Sequence, residues 1–189
     1  VLTLTGAAIF TPQAAAAGID TLISSSDKDL TQLVRPGITM VNTMSNETYD
    51  DAGVRAKFDV RPDQVLDLLT LTGDAVDNVP GVAKVGPKTA AKWLAQFGTL
   101  DEVIAHASEI PGVVGDNLRA TLDWLPQGKR LLTVKTDCAL PLSPADLKFV
   151  LRKLVLPHEV LRHLAEAFSR ERDLVRRPTV EHAVGLHEL

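Results

Sequence analysis

Only one cysteine, Cys138, occurs among the 189 residues. An intrachain disulfide is therefore excluded, and a cytoplasmic setting is the default expectation. Aromatic side chains make up 4% of a chain that is 45% hydrophobic, so Leu, Val and Ala rather than rings must fill the core. No apolar run approaches the roughly 20 residues that a membrane-spanning helix requires, and no membrane partner is expected. Residues Val1 to Ala17 are apolar and Ala-rich but carry no basic residue, which argues against a secretory signal. There is no excess of positive charge either: the net charge is −4 at pH 7 and the pI about 5.7. A nucleic-acid partner would have to be held by a local patch, not by general attraction. His158 and His163 are five apart, as are His182 and His187; neither pair shares a helical face and no cysteine joins them, against the spacing of a zinc site. Cys138 has no histidine near it in sequence and reads as a small hydrophobe rather than a nucleophile. Beyond Ala14 to Ala17 there is no low-complexity tract, and there are no internal repeats.

What the chain does have is concentrated between Leu71 and Phe97, LTGDAVDNVPGVAKVGPKTAAKWLAQF. Asp74 and Asp77 are three apart, a spacing that on a helical turn points both carboxylates to one side. Like charges held together repel, and a divalent cation is the common relief. Pro80, Gly81 and Gly86 then punctuate a tight turn, and Pro87 suits the first position of a helix running to Phe97, with Ala90, Trp93, Leu94 and Phe97 on its buried stripe. Gly98 ends it. Lys84, Lys88 and Lys92 surround the unpaired N–H groups of that helix start, with no acid among them. The pattern reads as a phosphate-sized grip on a nucleic-acid backbone, without base preference. The competing reading is a helical hairpin whose lysines are merely solvated.

In chain order, Val1 to Ala17 reads as a helix interrupted around Thr11 and Pro12, starting so abruptly that a longer parent chain is expected. Ile19 to Ser24 reads as a buried strand whose carboxyl end delivers Asp27 and Asp29, the place where ligands gather in open α/β sheets. A short helix, Asp29 to Val34, is expected next. A strand at Ile38 to Asn42 follows, paired across a turn with Glu47 to Tyr49. Asp50 is positioned to cap a helix through Phe58, and Pro62 to open another that ends at Thr72. After the hairpin, Leu100 to Ala107 and Gly115 to about Val134 read as helical, the latter broken by Pro126 and Gly128. Asn117, Arg119, Lys129 and Arg130 read as solvated. Pro144 to Arg177 is a charged, helix-forming segment with eight basic and five acidic residues.

Three stretches, SSDKDLTQL, LTGDAVDNVPGVAKVGPKTAAKWL and VVGDNLRATLDWLPQGKRLLTVKTD, together resemble the 5′→3′ exonuclease domain of bacterial DNA polymerase I, related to flap endonucleases. The resemblance runs from Gly18 to Leu140. It implies an α/β fold: a PIN-like or resolvase-like core over residues 1–62 and a helix-three-turn-helix (helix-hairpin-helix) DNA-binding module over 63–140, followed by a helical tail of unknown role at 141–189. It implies that Asp27, Asp29, Asp74 and Asp77 are catalytic metal ligands. It also implies that Gly81, Val82, Lys84, Val85, Gly86, Lys88 and Thr89 grip duplex DNA, and Lys92 extends that patch.

The implied reaction is two-metal phosphodiester hydrolysis with Mg²⁺ or Mn²⁺, the ions about 4 Å apart, and a potassium ion at the hairpin is implied as well. Substrates would be duplex DNA with a 5′ flap, a nick or an RNA primer, in replication and repair in the bacterial cytoplasm near the nucleoid. The family's remaining acids lie upstream of the segment resembled here. The expectation is thus the C-terminal half of a nuclease domain, completed by a missing N-terminal half, with a polymerase domain as a candidate neighbour and an isolated chain that need not be active. The alternatives are a non-catalytic, structure-selective DNA-binding module and a metal-dependent transferase using Asp27 and Asp29 on a nucleotide sugar. No glycine-rich nucleotide loop accompanies the second.

Overall fold

The computed structural model describes residues 4–139, with side chains from residue 8 onward. Helix α1, Leu4–Ala16, is continuous through Pro12, so the expected interruption is absent. A proline inside a helix forfeits one backbone hydrogen bond. Here Ala8, Ile9, Phe10 and Thr11 are all buried, and the packing of that turn holds the helix through the defect.

Strand β1, Thr21–Ser24, runs parallel to β2, Ile38–Asn42, with Thr21 opposite Ile38 and Ser24 opposite Val41. Strand β3, Glu47–Tyr49, folds back antiparallel on β2, with Met40 opposite Tyr49. Asn42 makes that return possible: its Oδ1 accepts the backbone N–H of Met44 at 3.0 Å and of Ser45 at 3.3 Å. Parallel strands need a crossover, and here it contains a 3-10 helix, Lys28–Leu33, that buries Leu30, Thr31 and Leu33. The β1 crossover thus leaves the carboxyl edge of the sheet directly through Asp27 and Asp29.

Helix α2, Asp51–Phe58, starts as the sequence predicts, with Asp50 Oδ1 accepting the Gly53 N–H at 2.7 Å. Pro62 opens a 3-10 turn, Pro62–Gln64, before helix α3, Val65–Thr72, where a single helix was expected. The buried Gln64 side chain explains the break. Its Nε2 donates to the carbonyls of Leu94 at 3.1 Å and Gly98 at 2.7 Å, which anchors the turn to a later helix.

Strands β4, Gly73–Asp74, and β5, Val79–Pro80, form a small antiparallel hairpin with Asp74 opposite Val79. Helices α4, Pro87–Phe97, α5, Leu100–Ala105, α6, Gly112–Thr121, and α7, Leu125–Leu132, complete the described residues. The helical stretch expected from Gly115, with its break at Pro126 and Gly128, is two helices parted earlier, at residues 122–124. Pro126 opens α7 rather than breaking it, because a proline in the first turn sacrifices no hydrogen bond.

A single apolar cluster joins the sheet to the helices, with Ile38, Met40, Val65, Leu71, Leu94, Leu100, Leu118 and Leu125 almost fully enclosed. Each such side chain contributes about 1.5–3 kcal/mol through burial. Asp67 lies inside this cluster. It accepts the Leu100 N–H at 2.9 Å and pairs with Lys129 at 2.8 Å, so Lys129 is a structural partner and not a solvated side chain. Arg119 is likewise engaged, donating to the carbonyls of Ala107 at 2.6 Å and Ile110 at 3.1 Å. No described helix is long and apolar enough to cross a membrane. The segment 141–189, with its four histidines, lies outside the described residues.

Candidate metal centre and lysine-lined hairpin

The acidic site is assembled from two places in the chain. Beyond β1, the Asp27 carboxylate accepts the Asp29 N–H at 3.0 Å and so caps the 3-10 helix. Within the β4–β5 hairpin, Asp74 accepts the Val76 N–H at 2.9 Å, and Asn78 takes a left-handed φ of 56° that closes the turn. Asp74 and Asp77 are therefore brought to one side by a hairpin turn, not by the helical turn their spacing suggested. Asp29, Asp74 and Asp77 each offer one carboxylate oxygen, and these oxygens lie within 4.8 Å of one another. Asp27, expected in the same set, is not among them; its carboxylate is committed to the cap.

Lys28 belongs to this site, although its identity in sequence carried no such signal. Its ammonium bonds to Asp74 Oδ2 and lies 3.6 Å from Asp29 Oδ1. Burial opposes the ionisation of Asp74. The Lys28 ammonium and the backbone N–H groups of Val76 and Asp77 outweigh that cost and hold its carboxyl below the usual carboxylate range. Asp29 moves the other way: burial, together with the charges of Asp27, Asp74 and Asp77, raises its pKa despite Lys28. Lys28 itself loses by burial and gains more from Asp74 and Asp29, so its pKa is raised.

Asp29 Oδ1 is buried with no hydrogen-bond partner among the described residues and only the Lys28 ammonium, 3.6 Å away, to balance it, and a buried carboxylate oxygen without a close partner is costly. That atom, with an all-oxygen donor set, fits a hard divalent cation.

The hairpin that follows is held from three directions. Val82 N–H donates to the Leu71 carbonyl at 2.8 Å, Trp124 Nε1 to the Pro80 carbonyl at 2.7 Å, and Asn117 Nδ2 to the Ala83 carbonyl at 2.7 Å. Asn117, expected to be solvated, thus positions this loop. Val82 and Val85 are buried pegs, while Lys84, Lys88 and Lys92 are exposed, and none of the three lysines is in an ion pair among the described residues. Lys84 has a left-handed φ of 63°, a strained state for a residue with a side chain.

The two glycines that frame the loop have different reasons to be there. A Cβ on Gly81 would strike the backbone of Leu71, Thr72 and Gly73, whereas Gly86 is extended, with φ −99°, and has open space around it. Gly86 N-caps α4 without any side-chain cap. Lys88, Thr89 and Lys92 line one side of an open groove of about 410 Å³ whose floor includes Trp93, Ile110 and Val114.

A converging acid cluster beside the carboxyl edge of a mixed sheet, followed by a helical region with a lysine-lined loop, defines an α/β protein with a candidate site for a divalent cation. Residues 60–153 match the family described as 5′-3′ exonuclease, C-terminal SAM fold. The chain is 40% identical over 137 residues to DNA polymerase I of Rhizobium leguminosarum, covering 72% of this chain and 14% of that protein. It is 37% identical over 135 residues to the 5′-3′ exonuclease of Aquifex aeolicus, covering 69% of this chain and 44% of the relative.

Among solved structures, the phage T5 flap endonuclease in a complex with DNA and metal ions superposes with a TM-score of 0.62 at 21% identity, covering 69% of this chain and 48% of that one. The T5 5′-exonuclease with zinc bound gives 0.61 at 22% identity, with 68% and 48% covered. The chain belongs to the 5′-3′ exonuclease family. It spans less than half the length of these relatives.

Proposed function

We propose that this chain supplies part of a 5′→3′ exonuclease and flap endonuclease that acts on DNA in replication and repair. The observation that carries the reading is the convergence of Asp29, Asp74 and Asp77 within 4.8 Å at the edge of the sheet. In this reading the α/β part, residues 1–62, is a PIN-like core and residues 63–140 a helix-three-turn-helix module. Substrates are duplexes bearing a 5′ flap, a nick or an RNA primer, handled in the bacterial cytoplasm near the nucleoid. The polymerase part of the longer relatives is a candidate neighbour in the same polypeptide.

The division of labour follows from the chemistry of each part. Asp29, Asp74 and Asp77 would hold Mg²⁺ or Mn²⁺, which supplies an activated water and stabilises the charge that develops on the leaving oxygen. Asp27 would orient Asp29 through its bond to the Asp29 N–H, and could add an outer contact through water. The exposed Lys84, Lys88 and Lys92 would neutralise backbone phosphates, and Gly81, Val82, Val85, Gly86 and Thr89 would shape the loop that presents them. This contact is sequence-independent, since phosphates position a duplex and do not read it. A potassium ion at the loop would need its backbone carbonyls, of which Ala83 O is already taken by Asn117.

Four carboxylates are too few for two ions, so full activity on this reading draws on acids beyond these 189 residues. The second reading, a DNA-binding module without catalysis, is favoured by the same shortage. Cleavage of a labelled 5′ flap in Mg²⁺, measured beside flap binding, separates the two. In a protein that also carries the upstream region of the longer relatives, Asp74→Ala or Asp77→Ala should abolish cleavage and leave binding within about threefold. Equal loss of binding and cleavage would overturn the catalytic reading, and the 189 residues alone should cleave near background.

A further inference from the structure

We propose that Lys28 is a built-in counter-cation of the Asp29, Asp74 and Asp77 site, occupying the oxygen a divalent cation needs, so that metal enters by exchange with its ammonium. The inference rests on the reading of those carboxylates as metal ligands. Asp74 has one oxygen committed to the Val76 N–H and the other held by Lys28. Its side chain is 2% exposed, so little of it is open to an incoming ion while the Lys28 ammonium stays in place. An ammonium and a divalent ion cannot share that oxygen closely, because like charges at contact distance repel strongly in a part-buried site.

The match between Lys28 and the site is incomplete, which is why exchange is favourable. One positive charge faces three carboxylates, and Asp29 Oδ1, 3.6 Å from the ammonium, is ion-paired but makes no hydrogen bond among the described residues. A divalent ion supplies twice the charge and reaches several oxygens at once. The exit is open as well: the Lys28 side chain is 40% exposed, so its ammonium can swing to water on its flexible stem without disturbing the core. Nor is its direction accidental. Lys28 is the first residue of the 3-10 helix, and the Asp27 cap fixes the backbone on either side of it. Before exchange, Lys28 restrains carboxylates that would otherwise repel. After it, the carboxylates stand preassembled around the ion.

The test is a Mn²⁺ titration of the 189-residue chain, with free ion followed by electron paramagnetic resonance and melting followed with and without metal. Lys28→Met should bind Mn²⁺ about tenfold more tightly, the scale of one charge-assisted hydrogen bond no longer in competition. It should also melt lower without metal and recover when Mn²⁺ is added. Lys28→Gln should fall between, and Lys28→Arg should stay within about threefold of wild type. Unchanged or weaker Mn²⁺ binding in both Lys28→Met and Lys28→Gln overturns the proposal. If Lys28→Met does not fold, Lys28→Gln decides alone. Asp74→Asn keeps the two claims apart: should it bind Mn²⁺ as wild type does, the metal-site reading fails and this inference with it. Should it lose Mn²⁺ while the Lys28 variants gain nothing, only the exchange is wrong.

Discussion

The side-chain amide of Asn117 in α6 donates to the carbonyl of Ala83 at 2.7 Å, so a residue 34 positions later holds the loop that presents Lys84. Without it, the loop must adopt the left-handed Lys84 conformation unaided. Asn117→Ala should weaken binding to duplex DNA by about 1 kcal/mol, the worth of one hydrogen bond, with little change in melting temperature. Fluorescence anisotropy beside a thermal melt checks it. A drop in stability as large as the drop in binding would mean that the bond serves the fold and not the loop.

The lysines themselves should show in the salt dependence. Each phosphate contact adds about 0.9 to the slope of log K against log salt, so the Lys84→Ala, Lys88→Ala double variant should flatten it by about 1.8. An unaltered slope across a salt series would identify these side chains as solvated surface.

Lys84→Gly is expected to separate strain from contact. Relief of a left-handed φ at a residue with a Cβ should stabilise the chain by up to about 1 kcal/mol, and loss of the charge should weaken DNA binding. Chemical denaturation and anisotropy on the same variant provide both numbers.

The framing glycines should fail differently. Gly81→Ala has no room against the α3 terminus and should destabilise the chain by about 3 kcal/mol or more. A Cβ at Gly86 meets nothing within 4 Å among the described residues, so Gly86→Val should fold with wild-type helicity by circular dichroism. Any binding loss in Gly86→Val would then report the close approach of a bound backbone to that position.

A fifth group of measurements concerns acidity. Asp29 has a raised pKa in the fold, so it contributes stability below its unfolded value of about 3.9 and loses it as the pH rises through the folded value. Asp29→Asn should therefore raise the melting temperature at pH 7, with the gain vanishing below about pH 3.9. Asp74, held low mainly by Lys28 and the hairpin N–H groups against its burial, has the opposite sign. Its stabilisation is present above about pH 3.9 and is lost as the pH falls through its folded value, so Asp74→Asn should lower the melting temperature at pH 7.

Much of this was legible in the chain because the signals are local. The Asp50 cap, the Pro87 start and Gly98 stop of α4, and the strands at Ile38–Asn42 and Glu47–Tyr49 all follow from residues within a few positions of one another. The site was less legible where one side chain answers a distant group. Spacing put Asp74 and Asp77 together for the wrong reason, because a four-residue turn and a helical turn bring the same positions to one side.

Asp27 matches a ligand by type, and what the chain shows of it is a local bond that spacing does not mark: its Oδ1 accepts the N–H two residues on. Asn117, Arg119 and Lys129 looked solvated since their partners are backbone carbonyls or an acid far along the chain, which sequence spacing does not mark. Lys28 was hidden in the same way: its partner Asp74 is 46 residues away.

The small β4–β5 hairpin makes one mechanical part of two. Asp74 is paired with Val79, and Gly81 is seated directly on the backbone of Leu71 to Gly73, with Trp124 clasping Pro80. A carboxylate and a lysine on this piece cannot be adjusted separately; it behaves as a gauge of fixed length between the exposed lysines and the place where acids meet. On the proposed nuclease reading, inserting one residue between Asp77 and Gly81 would change the setting of that gauge, and with it the position of the cut, before it changed the strength of DNA binding.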